Sequence, residues 1–371
     1  MEFGLFTQAF NPPKARQSDP DSEHSRIMYE VELVQAADRA GFKYVWAAEH
    51  HFLDEYSHLS ASESWLGFVA AKTSRIHIGS GIFNVTPPVN HPARIAERVA
   101  MLDHLSEGRF EFGTGRGSST TEQKGFGIAD PELTREMWDE VVPQLAQMWS
   151  STSYSYQGKW FSMPERNVLP KPWVRPHPPM WVACGSPGTF EKAARLGLGA
   201  LGFTTGHPAS LAPLVKAYKD NISKAEPVGD YVNDNVTLVS SMMCLEDGQA
   251  ARRHMCDMGL GYLQSLVFRY LDTFPRPPGI PEWPELVPDP SMDTIDSLID
   301  MGAVICGTPD ECAKGVQAYA DIGADQLVFG CLLAPLEVAV ESVETFGREV
   351  IPRFDHDPEH RTSRMRRAAC A

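Results

Sequence analysis

Short apolar runs of strand length alternate with longer segments carrying an apolar stripe of helical period, and any fold of this chain must satisfy that alternation. The strand-length runs are Met1 to Phe6, Tyr44 to Ala48, Ile76 to Ile82, Phe110 to Gly113, Met180 to Ala183, Gly199 to Phe203, Val236 to Met243 and Asp325 to Phe329. Helical segments fall between them. Ile27, Val31, Val34 and Ala37 share one face before Gly41, and Ser60-x-x-Glu63 has capping-box form ahead of Trp65, Leu66, Val69 and Ala70. Pro92 suits a first helical turn, with Ile95, Val99 and Leu102 behind it and Gly108 placed to end the helix. Further helices are predicted around Thr134 to Trp149, Gly188 to Leu196, Leu211 to Lys224 and Gln249 to Tyr270. Eight β/α units in about 350 residues predict an α/β fold of the (β/α)8 TIM-barrel type. An open, doubly wound parallel sheet is the alternative that periodicity alone does not separate.

The pattern predicts one domain over 1–355, with inserted loops at about 115–133, 151–178 and 271–305. The second insertion contains a hairpin-like Tyr-x-Tyr-x-Gly-x-Trp-Phe stretch. Residues 356–371 read as a basic, flexible tail. The net charge of −15 repels polyanions and offers no basic face for nucleic acid or an anionic membrane, so a bound phosphate needs a locally built pocket. No run approaches the roughly 18 continuous apolar residues of a membrane span, and the chain enters a strand at once without a leader pattern, so a cytoplasmic protein is expected. The seven cysteines are odd in number, widely spaced and without Cys-x-x-Cys, which points to neither a disulfide framework nor a zinc site.

In a barrel the chemistry sits just after each strand. Glu49-His50-His51 follows the second run. Two adjacent histidines on extended chain point opposite ways, which disfavours a metal and leaves a packed loop histidine or a pH-tunable acid/base. Gly113-Thr-Gly115-Arg116-Gly117 follows the fourth run: glycines permit close backbone approach, and Arg116 offers a fork for phosphate. Read alone it is equally a tight exit turn. Gly185-Ser186-Pro187-Gly188-Thr189 follows the fifth run, at the start of a helix, and is either an anion site or a plain N-cap by Ser186. Adjacent strand exits would let Arg116, Ser186 and Thr189 converge on one phosphate. The loops Ser118 to Pro131 and Phe274 to Pro290 have the length of lids, the second carrying Phe274 and Trp283 for an apolar chamber.

Taken together, Ala48-Glu49-His50-His51-Phe52, His91-Pro92-x-Arg94, Leu102-Asp103-His104-Leu105-Ser106-x-Gly108-Arg109-Phe110 and Gly113-x-Gly115-Arg116-Gly117 resemble the bacterial luciferase-like flavin-dependent monooxygenase superfamily. The later Gly307-Thr308-Pro309 extends the resemblance over nearly the whole chain. It implies a two-component FMN-dependent monooxygenase in which a separate flavin reductase supplies reduced FMN. O2 is activated as a flavin C4a-peroxide, and the substrate is an organic compound, apolar or carbonyl-bearing. By position it implies FMN phosphate binding by Arg116, Ser186 and Thr189 with the backbone of Gly115, Gly117 and Gly185. Ser80-Gly81 is implied as a non-prolyl cis step behind the flavin ring, His50 as the acid/base, and His51 and Glu49 as its support. A homodimer is the family-level expectation. Gly115 stands where luciferase has a cysteine beside the flavin, so light emission is not implied. A deazaflavin-dependent hydride-transfer oxidoreductase and a non-catalytic flavin-binding protein are the alternatives on the same barrel.

Overall fold

In the computed structural model, which describes residues 1–203, 206–274, 276–277, 279–330 and 333–370, the eight apolar runs become eight parallel strands that close on themselves. They are β1 (Glu2–Thr7), β2 (Tyr44–Ala47), β3 (His77–Ser80), β4 (Phe110–Gly115), β5 (Met180–Cys184), β6 (Gly199–Gly202), β7 (Val236–Cys244) and β8 (Gln326–Gly330). Each pairs with the next, and β8 returns to β1 through Glu2 opposite Gln326. Closure removes the open edges and decides for the TIM barrel over the doubly wound sheet. A ninth parallel strand, Val304–Gly307, extends β7 at its far end. It begins at the end of the 271–305 insertion, where the sequence pattern predicts loop.

Period-two alternation sets the core. Tyr44 and Trp46 of β2 point inward and meet Trp181, Leu201, Val239 and Val328 inside the barrel, while Val45 and Ala47 face the helices. Trp46 and Trp181 pack edge to face at 5.1 Å. Gly79 makes this layer possible, because a Cβ there would lie 2.4 Å from the Trp46 ring. The barrel is wrapped by α1 (Ser22–Ala40), α2 (Ser62–Lys72), α3 (Pro92–Leu105), α4 (Leu133–Ser150), α5 (Pro187–Arg195), α6 (Pro208–Lys219), α7 (Pro309–Asp321) and α8 (Leu336–Glu349). Among the described residues no helix is long and apolar enough to cross a membrane.

Several local expectations change. The helix expected over Gln249 to Tyr270 is two, Gly248–Asp257 and Leu260–Tyr270, because Gly259 takes φ +69° between them. Ser60-x-x-Glu63 forms no capping box: α2 starts at Ser62 without a side-chain cap, and Glu63 instead bonds Arg98 of α3 at 2.8 Å. The hairpin in the 151–178 insertion does form, as Tyr154–Gln157 against Ser162–Arg166. Cys331 lies outside the described residues, as do Pro275 and Pro278 of the second lid loop.

The tail is the largest correction. Residues Arg361–Ala368 are a helix laid across the N-terminal mouth of the barrel, with Thr362 and Arg366 buried. Arg366 makes a two-pronged pair with Asp103, 2.9 Å on each arm, and Thr362 donates to Glu111 on β4. The buried Lys43 ammonium donates to Glu2, Asp355 and the carbonyls of Asp357 and Glu359. A basic tail reads as solvated only while its carboxylate partners, scattered over residues 2–325, are out of view.

Candidate active site

At the opposite, C-terminal mouth, β2 delivers Glu49, His50 and His51 into a loop held by Glu122. One Glu122 oxygen accepts the His51 amide at 2.7 Å and lies 3.2 Å from His50 Nδ1. An oxygen that already accepts an amide takes the Nδ1 proton of His50, which leaves Nε2 as the basic atom of the neutral ring. His51 points elsewhere, as alternation requires: its Nε2 is 3.6 Å from Glu49 Oε1, and its ring meets Phe126 edge to face at 4.9 Å. Burial opposes charge on His51, but Glu49 and then the charges of Glu122 and Glu63 outweigh it, so its pKa is raised above the ordinary histidine value. Glu49 is buried and also accepts the Asn84 amide at 3.2 Å, tying the exits of β2 and β3 together.

Glu122 belongs to a short helix, Thr120–Gly125, inside the stretch expected to be an open lid. Ser119, Glu122 and Gln123 are all buried, so this segment forms part of the wall of the mouth. Ser119-x-x-Glu122 has capping-box form, a signal that would have placed the helix, although Glu122 turns to the histidines and Ser119 makes no side-chain cap. The second loop is tied to it: Asp272 accepts from the Thr120 amide at 2.9 Å, and Thr273 donates to the Ser118 carbonyl at 2.8 Å. Trp283 does not face a chamber alone. Arg269 of Leu260–Tyr270 lies 4.3 Å from its ring centre and 4.6 Å from that of Tyr270. That helix roofs the mouth through an apolar cluster of Leu263, Leu266 and Tyr270 with Phe10, Leu53 and Tyr56.

The glycine-rich exit of β4 is a cradle in the literal sense. Gly117 has φ +78°, and a Cβ on it would press on Asn84 Nδ2 at 3.0 Å. At Gly115 a Cβ would sit 2.4 Å from Ile82 Cδ1, so Ile82 occupies the room a cysteine would need. Arg116 donates to Thr134 Oγ1 at 2.8 Å and has no ion pair among the described residues. Burial first, then the nearby charge of Arg135, lowers its pKa, with Glu132 opposing. A half-buried arginine beside a second cation, with no ion pair of its own among the described residues, has donors that could hold an anion. Thr134 and Arg135 escaped the sequence reading because they open a helix 18 and 19 residues downstream, in no recognisable motif.

Thr114 opposite Val182 puts the exits of β4 and β5 side by side, yet no hydrogen bond joins Arg116 to Ser186 or Thr189. Those two form a capping box for α5, in which Thr189 Oγ1 accepts from the amides of Gly185 (3.1 Å) and Ser186 (3.0 Å). Both side chains are exposed, on the same rim as Arg116. The cis step is corrected by one residue: it is Gly81–Ile82. Through Ser80 the chain is still in the sheet, for the Gly81 amide donates to Ala47 O at 2.7 Å, and departure begins only beyond it. Ser80 itself is wholly buried, with Oγ bonded to both the amide and the carbonyl of Gly113, so it is a wall residue of the barrel. Ile82, with Phe6 and Phe203, supplies a half-buried apolar floor at the mouth. Among the described residues, buried His51 Nε2, Ser119 Oγ and Gln123 Oε1 lack hydrogen-bond partners. Apolar floor, anion-binding rim and histidine–carboxylate wall together fit a planar, phosphate-bearing cofactor such as a flavin mononucleotide.

Similarity to known proteins agrees with this geometry. The chain is 26% identical over 363 residues to limonene 1,2-monooxygenase of Rhodococcus erythropolis, covering 96% of this chain and 87% of that protein. It is also 26% identical over 337 residues to an F420-dependent glucose-6-phosphate dehydrogenase of Nakamurella multipartita, covering 87% and 91%. The oxygenating constituent of 3,6-diketocamphane monooxygenase of Pseudomonas putida, solved with FMN, superposes with a TM-score of 0.75 at 18% identity over 95% of this chain and 98% of that one. The luciferase-like monooxygenase family profile matches residues 1–326. This chain therefore belongs to the luciferase-like monooxygenase family and is an oxidoreductase.

Proposed function

We propose that the protein is the oxygenase component of a cytoplasmic two-component system, taking reduced FMN from a separate reductase and using O2 to oxygenate an apolar or carbonyl-bearing organic substrate. Reduced flavin supplies the electrons that activate O2. Arg116, with Thr134 behind it and Ser186 and Thr189 on the neighbouring exit, holds the phosphate. Phe6, Ile82 and Phe203 support the ring and keep water out. His50, oriented by Glu122, moves a proton at Nε2. Glu49 and His51 fix that loop. The Glu122-bridged histidine pair is the observation that carries the reading, because a flavin store has no use for an oriented base.

A deazaflavin-dependent hydride transfer is the second reading, and likeness to F420-dependent relatives supports it. A homodimer completes the proposal. Phe68 of α2 and Met101 and Leu105 of α3 are 44%, 47% and 56% exposed on neighbouring helices and offer it an apolar face. The deciding experiment mixes protein and anaerobically reduced FMN with oxygenated buffer in a stopped-flow spectrometer. A transient absorbing unlike either reduced or oxidised FMN supports the oxygenase; reoxidation at the free-flavin rate, with tight binding of the deazaflavin instead, supports the hydride-transfer reading.

A further inference from the structure

The hairpin insertion and the segment beyond β3 flank an open recess that His50, Glu122 and Arg116 do not line. Its walls are Pro87, Pro88 and His91 beyond β3, Met137 of α4, and Trp160, Phe161 and Ser162 of the hairpin, around a volume of about 390 Å3. That is within the size range of small-molecule pockets.

The walls are held in place by their own neighbours. Glu140 of α4 accepts from the amides of Lys159 (3.0 Å), Trp160 (3.0 Å) and Phe161 (3.3 Å), which fixes the hairpin turn. Phe161 stacks on Tyr156 with ring centres 4.6 Å apart. His91 caps α3, and its Nδ1 accepts from the Ala93 amide at 3.2 Å. An accepting Nδ1 places the proton of the neutral ring on Nε2. Among the described residues that Nε2–H has no acceptor. The recess thus combines aromatic and proline surfaces with the His91 Nε2–H, whose tautomer is fixed, and the Ser162 hydroxyl at its edge. No carboxylate, ammonium or guanidinium is among its lining residues, although the Lys159 ammonium lies 4.6 Å from the centre of the Trp160 ring beside it.

We propose that this recess binds a planar, uncharged ring bearing one hydrogen-bond acceptor, with the ring against Trp160, Phe161 and the prolines and the acceptor on His91 Nε2. The site is independent of the flavin reading. None of its walls belongs to the His50, Glu122 and Arg116 set, although Met137 stands one turn beyond Thr134.

Quinoline and naphthalene have the same shape and differ by one ring nitrogen, which makes them the probes. Equilibrium dialysis against the full chain without flavin is expected to give saturable binding of both. Quinoline should be preferred by about fivefold, the worth of one neutral hydrogen bond. His91→Ser keeps a cap for α3 but withdraws the donor from the recess, so the preference should vanish while naphthalene binding persists. Trp160→Ala should weaken both rings about tenfold and leave the FMN dissociation constant unchanged. Pro88→Asp, at the exposed rim, is a second variant that must weaken both. The proposal is overturned by no saturable binding of either ring, by a quinoline preference that survives His91→Ser, or by binding that FMN displaces and the Trp160 and Pro88 variants leave intact.

Discussion

Glu122 and His50 meet at 3.2 Å although 72 residues and two barrel strands separate them in the chain, and the same carboxylate oxygen anchors the His51 amide at 2.7 Å. One side chain thereby sets both the orientation of the proposed base and the path of the loop that carries it. Glu122→Gln keeps the shape and the amide contact but removes the carboxylate that fixes the His50 tautomer. Turnover should fall about tenfold to a hundredfold, with FMN affinity within a few-fold of wild type. Equal loss of binding and turnover would make Glu122 a scaffold residue only.

His50 and Arg116 should separate cleanly in steady-state kinetics and flavin titrations. His50→Ala should cost about a hundredfold or more in turnover at nearly unchanged FMN affinity. Arg116→Ala removes a charge-assisted contact and should weaken FMN about tenfold to a hundredfold. An unchanged dissociation constant would take Arg116 out of the phosphate site.

Gly115 and Ile82 are matched in size. Gly115→Cys forces a side chain into the Ile82 methyl group, 2.4 Å from the position of the new Cβ. The variant should lose about 1–3 kcal/mol of stability, and adding Ile82→Ala should restore much of it. Additive destabilisation in the double variant, read by chemical denaturation, would show that the two sites are not coupled.

Arg366→Ala leaves Asp103, itself wholly buried, without its cation. Thermal and denaturant unfolding should report a loss of about 3–5 kcal/mol. A change within about 0.5 kcal/mol, as for an ordinary surface substitution, would restore the reading of 356–371 as a loose tail.

The same end of the barrel sets the pH dependence of stability. Burial pushes the Glu111 carboxyl up to about 8, against hydrogen bonds from Thr362 and Trp181 that pull it down. Burial likewise pushes His77, bonded to Glu111 at 2.7 Å, down to about 3, and His360, stacked on it at 3.8 Å, down to about 2. Below the ordinary histidine pKa the unfolded chain takes up protons that folded His77 and His360 refuse, so stability rises with pH up to about 6.5. Folded Glu111 keeps a proton that the unfolded chain releases above about 4.5, so its contribution falls from there to about pH 8 and leaves a net decline above about 6.5. Glu111→Gln should flatten that alkaline limb and steepen the acid one above about pH 4.5 in a series of melts; an unchanged limb would place its origin elsewhere.

Sequence alone determined the eight alternating strand and helix units, because their periods are local properties: the alternation of Tyr44 to Ala48 with the stripe Ile95, Val99, Leu102 is written within a few residues, whereas closure of the sheet through Glu2 opposite Gln326 was decided only by the tertiary structure. It also placed Glu49, His50, His51 and Arg116 at strand ends, since strand ends follow from strands. The tertiary structure alone decided which side chains meet there. Glu122 sits in polar sequence without a period, and nothing local says that it will reach His50. Ser80 looked like a site residue until the β3–β4 register turned its hydroxyl onto Gly113. Ser186 and Thr189 spend their hydroxyls on a local capping box, a competition that sequence named but did not resolve. The tail gave the same lesson most strongly: Arg366 is a surface residue by composition and a buried one by geometry. Its partner Asp103 lies 263 residues away, and only closure of the barrel brings the two together.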